Sequence, residues 1–448
     1  MSQVIDRSAL LEQARQGVSV ALAAGADQAE VYASSSFEHR ANIQKNDLDQ
    51  IRQSRETTFG IRVFCGGRLG FATSNNPSAL KAIAEEAIAV ADASPADPLN
   101  GLPEPSSIPE VSDSVDGEIV QLPSAQLAQR AMALLSRARK DSRVTIDSAG
   151  VEVGEVTRAV ASSTGVGASW HSAAASGDVF GMAVEGSKVG SFSYDGDCVR
   201  SLGELNASIE GLVDRFAQNC IDALHPEKGE SFRGSVLLTP HSLESVLVGP
   251  LVQVLRADEV RRGRSPLADR LGDTIASPLF TLTSLRGLEN FSMVPFDREG
   301  QPRHDQVLVG DGVLKRFLWD SYESRASGGT LTGDAVGGAA SLPSIGASVL
   351  SLAPGKTQLE DIKNMDRGII VTRFSGSTDP ISGDFSGVVK GGFLVKNGQP
   401  RPVHEITIAG NLWDCLKNIS AVSVQRHQFS GVRSYPWVKV EDLSVTSG

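Results

Sequence analysis

A chain of 448 residues with 40% hydrophobic content, 5% aromatics and 45 glycines exceeds one ordinary core and points to two or three turn-rich units. Its formal net charge of −11 argues against a surface that attracts nucleic acid through phosphates. The four cysteines, Cys65, Cys198, Cys220 and Cys415, stand singly, which gives neither a zinc ribbon nor a disulfide framework.

In chain order, the N-terminal MSQVIDRSALLEQARQ is charged throughout and lacks the apolar run of an export signal. No window of about 18 apolar residues occurs elsewhere, so no membrane span and a cytoplasmic location are expected. Leu10, Leu11, Ala14, Val18, Ala21 and Leu22 form a helical stripe over Ser8–Ala24, closed by Gly25. Strand-like pieces follow at Ala29–Ser34, Ala41–Gln44 and Thr57–Phe64, then a helix over Asn76–Ala93. Residues 1–93 thus read as a first small α+β unit. A proline cluster, PADPLNGLPEPSSIPE, marks 94–123 as a linker. A second small α+β unit, 124–228, holds the helix Ser124–Ala138, strand-like Val144–Val153, Thr157–Ser162 and Ala168–Ala174, a strand pair in the glycine-punctuated 177–190, and the helix Leu202–Ala223.

The third unit, 229–448, reads as a larger β-rich domain with mixed or antiparallel sheets, making the whole chain α+β. It opens with a strand Ser235–Thr239 and a helix Pro240–Arg256, whose apolar residues from Leu243 to Leu255 suit packing on a sheet. The arginine-rich RADEVRRGRSP that follows reads as a solvated helix end. Strand–turn–strand patterns occupy Met293–Trp319, with turns at 297–300 and Asp311-Gly312. Another is a hairpin of two runs, Val388–Val395 and His404–Ile408, around the turn dipeptide Asn397-Gly398.

Three stretches carry a resemblance: VPFDREGQPRHDQVLVGDGVLKRFLWDSYESR, SGDFSGVVKGGFLVKNGQPRPVHEITIAGNL and the helix-like WDCLKNISAVS. Together they resemble the C-terminal part of the TldD/PmbA family, closer to its PmbA (TldE) branch than to TldD, and a looser likeness runs over the whole chain. In the TldD branch the helix corresponding to Pro240–Arg256 carries HExxxH, two zinc-binding histidines with a glutamate as general base, and a cysteine near the C-terminus completes the ligands. Here that motif is absent. Ser430 of Phe429-Ser430-Gly431 stands where the cysteine is assigned, and a neutral hydroxyl binds zinc poorly.

The residues themselves are equally sparing. None of the seven histidines lies four or five positions from another. His241 and Glu244, at i,i+3, are the weak metal candidates on the critical helix, with an N-terminal capping turn as the plainer account. His404 is a third, but His404-Glu405 lies on a strand, where successive side chains point to opposite faces. Gly165-Val166-Gly167 lacks the rest of a dinucleotide fingerprint, and no phosphate-binding loop of the Walker type occurs.

The resemblance therefore implies no catalytic residues and no metal in this chain, with zinc expected in a TldD-like partner. The expected function is that of a non-catalytic subunit of a heterodimeric zinc metallopeptidase that encloses a chamber and holds unfolded or leader peptides. Peptide contacts are expected at the glycine-rich loop, Gly328, Gly329 and Gly333, and at Gly383, Asp384, Phe385, Ser386 and Gly387. There, strands 383–389 and 392–395 would pair with an extended peptide. The alternative is a standalone homodimer, either peptide-binding or a hydrolase with an unrecognised metal site.

Overall fold

The computed structural model describes residues 4–108, 115–288, 294–404 and 406–447. Helix α1 (Arg7–Ala23) starts where the Asp6 carboxylate accepts hydrogen bonds from the Ser8 and Ala9 N–H groups. Strands β1 (Gln28–Gln44) and β2 (Asp47–Cys65) follow, joined by Lys45-Asn46, both at positive φ as a tight hairpin requires. Then come β3 (Arg68–Ser74), α2 (Leu80–Ala93), α3 (Gly117–Val120), α4 (Ser124–Ala138), β4 (Val144–Ser162), β5 (Gly167–Glu185), β6 (Lys188–Val189), β7 (Ser193–Val199) and α5 (Leu202–Asp222).

The strands are longer than the sequence suggests. β1, β4 and β5 run unbroken through polar and glycine-containing stretches, and the strand pair expected in 177–190 is the end of the long β5 turning back on the two-residue β6, with Val184 opposite Val189. The reason lies in their alternation: β5 alternates buried and half-buried positions along most of its length, so its serines and glycines belong to the pattern and do not interrupt it. At Gly154 the missing side chain leaves room for the Phe37 carbonyl, 3.0 Å from where a Cβ would stand.

The two expected N-terminal units share one sheet. Its order is β3-β2-β1-β4-β5-β6, with β7 also on β5, and β1 pairs with β4 from Glu30↔Ser162 to Gln44↔Ser148. Helices α1 and α2 bury Leu10, Ala14, Ile83 and Ala87 at one end, and α4 and α5 bury Leu127, Leu134, Leu212 and Phe216 at the other. Two hydrophobic clusters thus persist on a continuous backbone ladder. The proline-rich segment, whose residues 109–114 lie outside the described set, is tied down: Thr164 donates to the Pro103 carbonyl at 2.8 Å, and Gln301 donates to that of Glu104 at 3.0 Å.

The C-terminal region holds β8 (Phe232–Leu238), α6 (Pro240–Leu243), a π-helical turn Glu244–Val248, α7 (Gly249–Val254), α8 (Ala257–Arg261), β9 (Leu282–Leu285), β10 (Gln306–Gly310), β11 (Val313–Leu314), α9 (Ser321–Ser327), β12 (Ala335–Val336), β13 (Ser344–Ile345) and β14 (Val349–Leu352). After these come α10 (Leu359–Lys363), β15 (Arg367–Val371), β16 (Phe374–Thr378), β17 (Asp384–Val389), β18 (Gly392–Lys396), β19 (Gln399–Val403), β20 (Ile406–Asn411), α11 (Leu412–Lys417), β21 (Ile419–Phe429) and β22 (Arg433–Ser447). Most of these strands form a 13-stranded sheet in which β8–β15 and β14–β22 are parallel and the other pairs antiparallel.

The π turn has a cause in the sequence. Pro250 lacks an N–H and its ring crowds the preceding turn, so the helix widens and the Gly249 N–H reaches back to the Glu244 carbonyl. Leu243, Val246, Leu247, Leu251 and Val254 nevertheless all reach the core, as their spacing requires.

The expected strand over Met293–Phe296 is not a ladder: Met293 lies outside the described residues, and Phe296 makes a single bridge to Pro302. The turn that follows instead clasps the two halves together. Gly300, at φ 73°, presses on the N-terminal sheet so closely that a Cβ there would lie 2.4 Å from Val166. Buried Arg298 donates to Glu30 at 2.8 Å and stacks 4.3 Å from the Tyr32 ring. Arg62 reaches Glu30 at 2.8 Å and Glu299 at 3.0 Å. Glu299 also accepts from the Ser321 N–H and hydroxyl. Burial alone would raise the Glu299 carboxyl, but Arg62 and Ser321 hold it below its ordinary range, whereas burial beside Glu299 raises that of Asp297.

Removing one member of such a network leaves a desolvated charge without its partner. Glu30→Ala is expected to destabilise the protein by about 3–5 kcal/mol in urea unfolding. Lys81→Ala, which removes a solvent-exposed i,i+4 pair with Glu85, is expected to change stability by less than about 0.5 kcal/mol.

Candidate functional site

The helix that would carry a metal motif begins at Pro240, and its first turn is anchored by buried Ser242, whose hydroxyl donates to the Val371 carbonyl at 2.8 Å. His241 projects beside β21, its ring 4.3 Å from that of Phe429 and 5.5 Å from that of His427. Both imidazoles and Ser430 line a cavity of about 630 Å³ between the C-terminal sheet and the β5–β7 face, together with Asp195, Arg215 and Trp437. Burial lowers the His241 pKa, and burial, Arg215 and His241 lower that of His427 to about 4. Both rings are therefore neutral at pH 7.

Glu244 does not join them. Its carboxylate accepts from Arg433 Nε at 3.1 Å and from the Tyr435 hydroxyl at 2.6 Å. Burial and the Glu244 charge push the Tyr435 pKa upward, keeping the phenol a donor. His404 lies elsewhere: it is exposed, its N–H bonds the Glu227 carbonyl, and it lines a second cavity of about 670 Å³. Glu405 lies outside the described residues. The three metal candidates therefore occupy three separate environments.

These donors do not fit a zinc ion. Among the described residues, no group of three or more His, Cys, Asp or Glu side chains could hold a metal. The His241–His427 cavity adds the Ser430 hydroxyl, Cys198, a thiol pushed up to about 11 by burial and by Asp197 and Glu152, hence protonated, and three carboxylates already engaged, Asp178 by Arg40, Asp195 by Arg215 and Asp197 by the Cys198 N–H.

The glycines singled out for peptide contact have local structural reasons. Gly328, at φ 70°, caps α9 in the left-handed conformation; a Cβ on Gly329 would strike Trp319 at 2.6 Å, and one on Gly333 would strike the Pro302 carbonyl at 2.5 Å. Gly383 packs on Trp413, and Gly387 lies under the Phe374 ring. Asp384 accepts from Asn411 at 2.9 Å, Phe385 is buried, and Ser386 is exposed.

Strand addition at 383–389 or 392–395 is blocked. β17 lies between β16 and β20, and β18 between β15 and β19, so both edges of each are already paired. The open edge is one strand further out: among the described residues β16 pairs only with β17, and its Ser375, Gly376 and Ser377 are exposed.

The segment expected to be a solvated helix end is also more ordered than that. Asp258 and Glu259 are buried, Arg264 pairs with Glu259 at 2.7 Å, and Arg261 with Glu323 at 2.7 Å. Sequence reasoning missed His427, Arg433 and Tyr435. The available signal was their position on either side of Ser430, since two strands joined by a tight turn bring both flanks to one place.

The half-buried imidazoles make stability depend on pH. A His427 pKa of about 4, against about 6.5 in the unfolded chain, means that the unfolded state binds more protons between those values. Stability is then fully present above about pH 6.5 and falls as pH drops towards 4. In thermal melts across that window, His427→Gln is expected to flatten the slope, removing up to roughly 3 kcal/mol of pH dependence at about 1.4 kcal/mol per unit.

Family-level comparison agrees with this architecture. Residues 231–447 match the PmbA/TldA metallopeptidase C-terminal domain, and residues 29–91 match the PmbA/TldA metallopeptidase domain 1. The chain is 27% identical over 437 residues to the metalloprotease PmbA of Escherichia coli O157:H7, covering 94% of this chain and 93% of that one. It is 25% identical over 423 residues to a metalloprotease of Methanothermobacter thermautotrophicus, covering 88% of each. Its fold superposes on the crystal structure of TldE from Thermococcus kodakarensis with a TM-score of 0.86 at 25% identity, covering 97% of this chain and 99% of that one. With two domain models of the family matched over more than half of the chain and relatives aligned over about nine-tenths of their length, the chain belongs to the PmbA/TldD metallopeptidase family.

Proposed function

We propose that this chain is a TldE-type, non-catalytic subunit of a cytoplasmic heterodimeric zinc metallopeptidase. It would wall one side of a chamber and hold extended, unfolded or leader peptides while a TldD-like partner bearing the zinc cuts them. The observation that carries this reading is the occupied state of Glu244. The one carboxylate on the critical helix is held by Arg433 and Tyr435, turned away from the two imidazoles, and among the described residues no group of three or more His, Cys, Asp or Glu side chains could hold a metal. The likeness to TldE supports the same branch.

The open edge of β16 supports the peptide-holding half of the proposal. Main-chain N–H and C=O groups on an unpaired edge bind any extended backbone, which suits a subunit that must accept many sequences. No helix among the described residues is long and apolar enough to cross a membrane.

The test is reconstitution with a TldD-type partner. Peptidase activity is expected only in the mixture, with about one zinc per heterodimer recovered in the partner by metal analysis and a mixed species seen in size measurement. Chelator-sensitive cleavage by this chain alone, or stoichiometric zinc bound to it, would overturn the proposal in favour of a hydrolase acting as a homodimer.

A further inference from the structure

We propose that Arg373 anchors the C-terminal carboxylate of a peptide laid antiparallel along the open edge of β16. This rests on the peptide-holding role above and adds to it the end of the peptide that is read.

Arg373 immediately precedes β16, and its guanidinium is held between two aromatic rings, 5.1 Å from the Phe192 centroid and 5.2 Å from that of Tyr194. Its Nη2 donates to the Phe192 carbonyl, and this is its one side-chain hydrogen bond among the described residues. No carboxylate among them forms an ion pair with it. That sets it apart from the charged groups around it. Arg373 lines both the 670 Å³ and the 630 Å³ cavities. In the latter, Asp195 pairs with Arg215 at 2.8 Å and Asp178 with Arg40 at 2.7 Å, while Asp197 accepts from the Cys198 N–H at 2.9 Å. In the former, Asp222 accepts from Gln218 at 2.8 Å. The acidic side chains of both cavities therefore have other partners, and Arg373 is left as a half-buried cation without a counterion.

A half-buried guanidinium costs desolvation that the ring contacts offset only in part. Such a group favours an incoming anion, and its planar fork matches a carboxylate through two parallel N–H···O bonds. Direction along the strand selects which carboxylate. β16 already pairs antiparallel with β17, and alternate residues of an antiparallel strand turn their N–H and C=O groups to the free side. A peptide continuing that antiparallel pattern ends opposite the first residue of β16, so its terminal carboxylate arrives at Arg373. Phe192 and Tyr194, 41% and 55% exposed, offer apolar surface to the last side chain.

The experiment uses the full chain and a decapeptide of alanine, serine and valine, fluorescein-labelled at its N-terminus and read by anisotropy. The free acid is expected to bind about tenfold more tightly than the C-terminal amide. Arg373→Gln is expected to erase that difference, and Arg373→Lys to retain part of it, with thermal melts checking that each variant folds. Equal binding of acid and amide by the unaltered chain overturns the inference while leaving peptide holding intact, and needs no variant. So does a tenfold preference that survives in Arg373→Gln, or an amidated peptide ending in aspartate that binds as tightly as the free acid. Failure of both peptides to bind overturns the peptide-holding role and this inference with it.

Discussion

The structure depends on a small set of charges buried where its two halves meet. Glu30 on β1 and Arg62 on β2 belong to the N-terminal sheet, while Arg298 and Glu299 belong to a turn of the C-terminal region, and each cation contacts at least one of the two carboxylates. Desolvating four such groups is costly unless every one is paired, so the network tolerates little displacement. It also fixes what lies next to it. Glu299 holds Ser321 at the start of α9, Tyr322 donates to Asp97 at 2.7 Å, and Arg325 donates to the Leu99 and Gly101 carbonyls, so the proline-rich segment and α9 are located by the same contact.

That clasp is what makes the inner cavities composite. The cavity at His241 takes one wall from α6 and β21 and another from β5, β7 and α5, elements separated by up to about half the chain. Its chemistry follows from which groups are already engaged. Glu244 is bound to Arg433 and Tyr435, Asp195 to Arg215, and the imidazoles are neutral because their partial burial disfavours the charged form. Arg373 is the exception, a cation that lies against two aromatic rings and has no carboxylate partner among the described residues.

Several features were legible in the amino-acid order because they rest on local physics. Helices α1, α4 and α5 follow their apolar spacing to within a residue or two, and Asn397-Gly398 makes the expected tight turn, although the strand it returns is β19 (Gln399–Val403) and the run expected there, His404–Ile408, belongs largely to β20, which pairs with β17 and β22. The missing HExxxH motif is likewise a property of neighbouring residues, readable from the segment Pro240–Arg256 alone. The turn at Asp297–Gly300 was visible, but its purpose was not, since Glu30 and Arg62 lie more than two hundred positions away.

What the sequence determined, then, was the family, the mixed α+β class and the poverty of metal ligands, because periodicity, turn chemistry and ligand spacing act over a few residues. Tertiary structure alone decided that residues 28–74 and 144–199 form one sheet, that β17 and β18 are enclosed while β16 is open, and that His241 meets His427. Strand pairing and charge pairing join groups far apart in the chain, and a strand's pattern of side chains does not record which neighbour will take its edge.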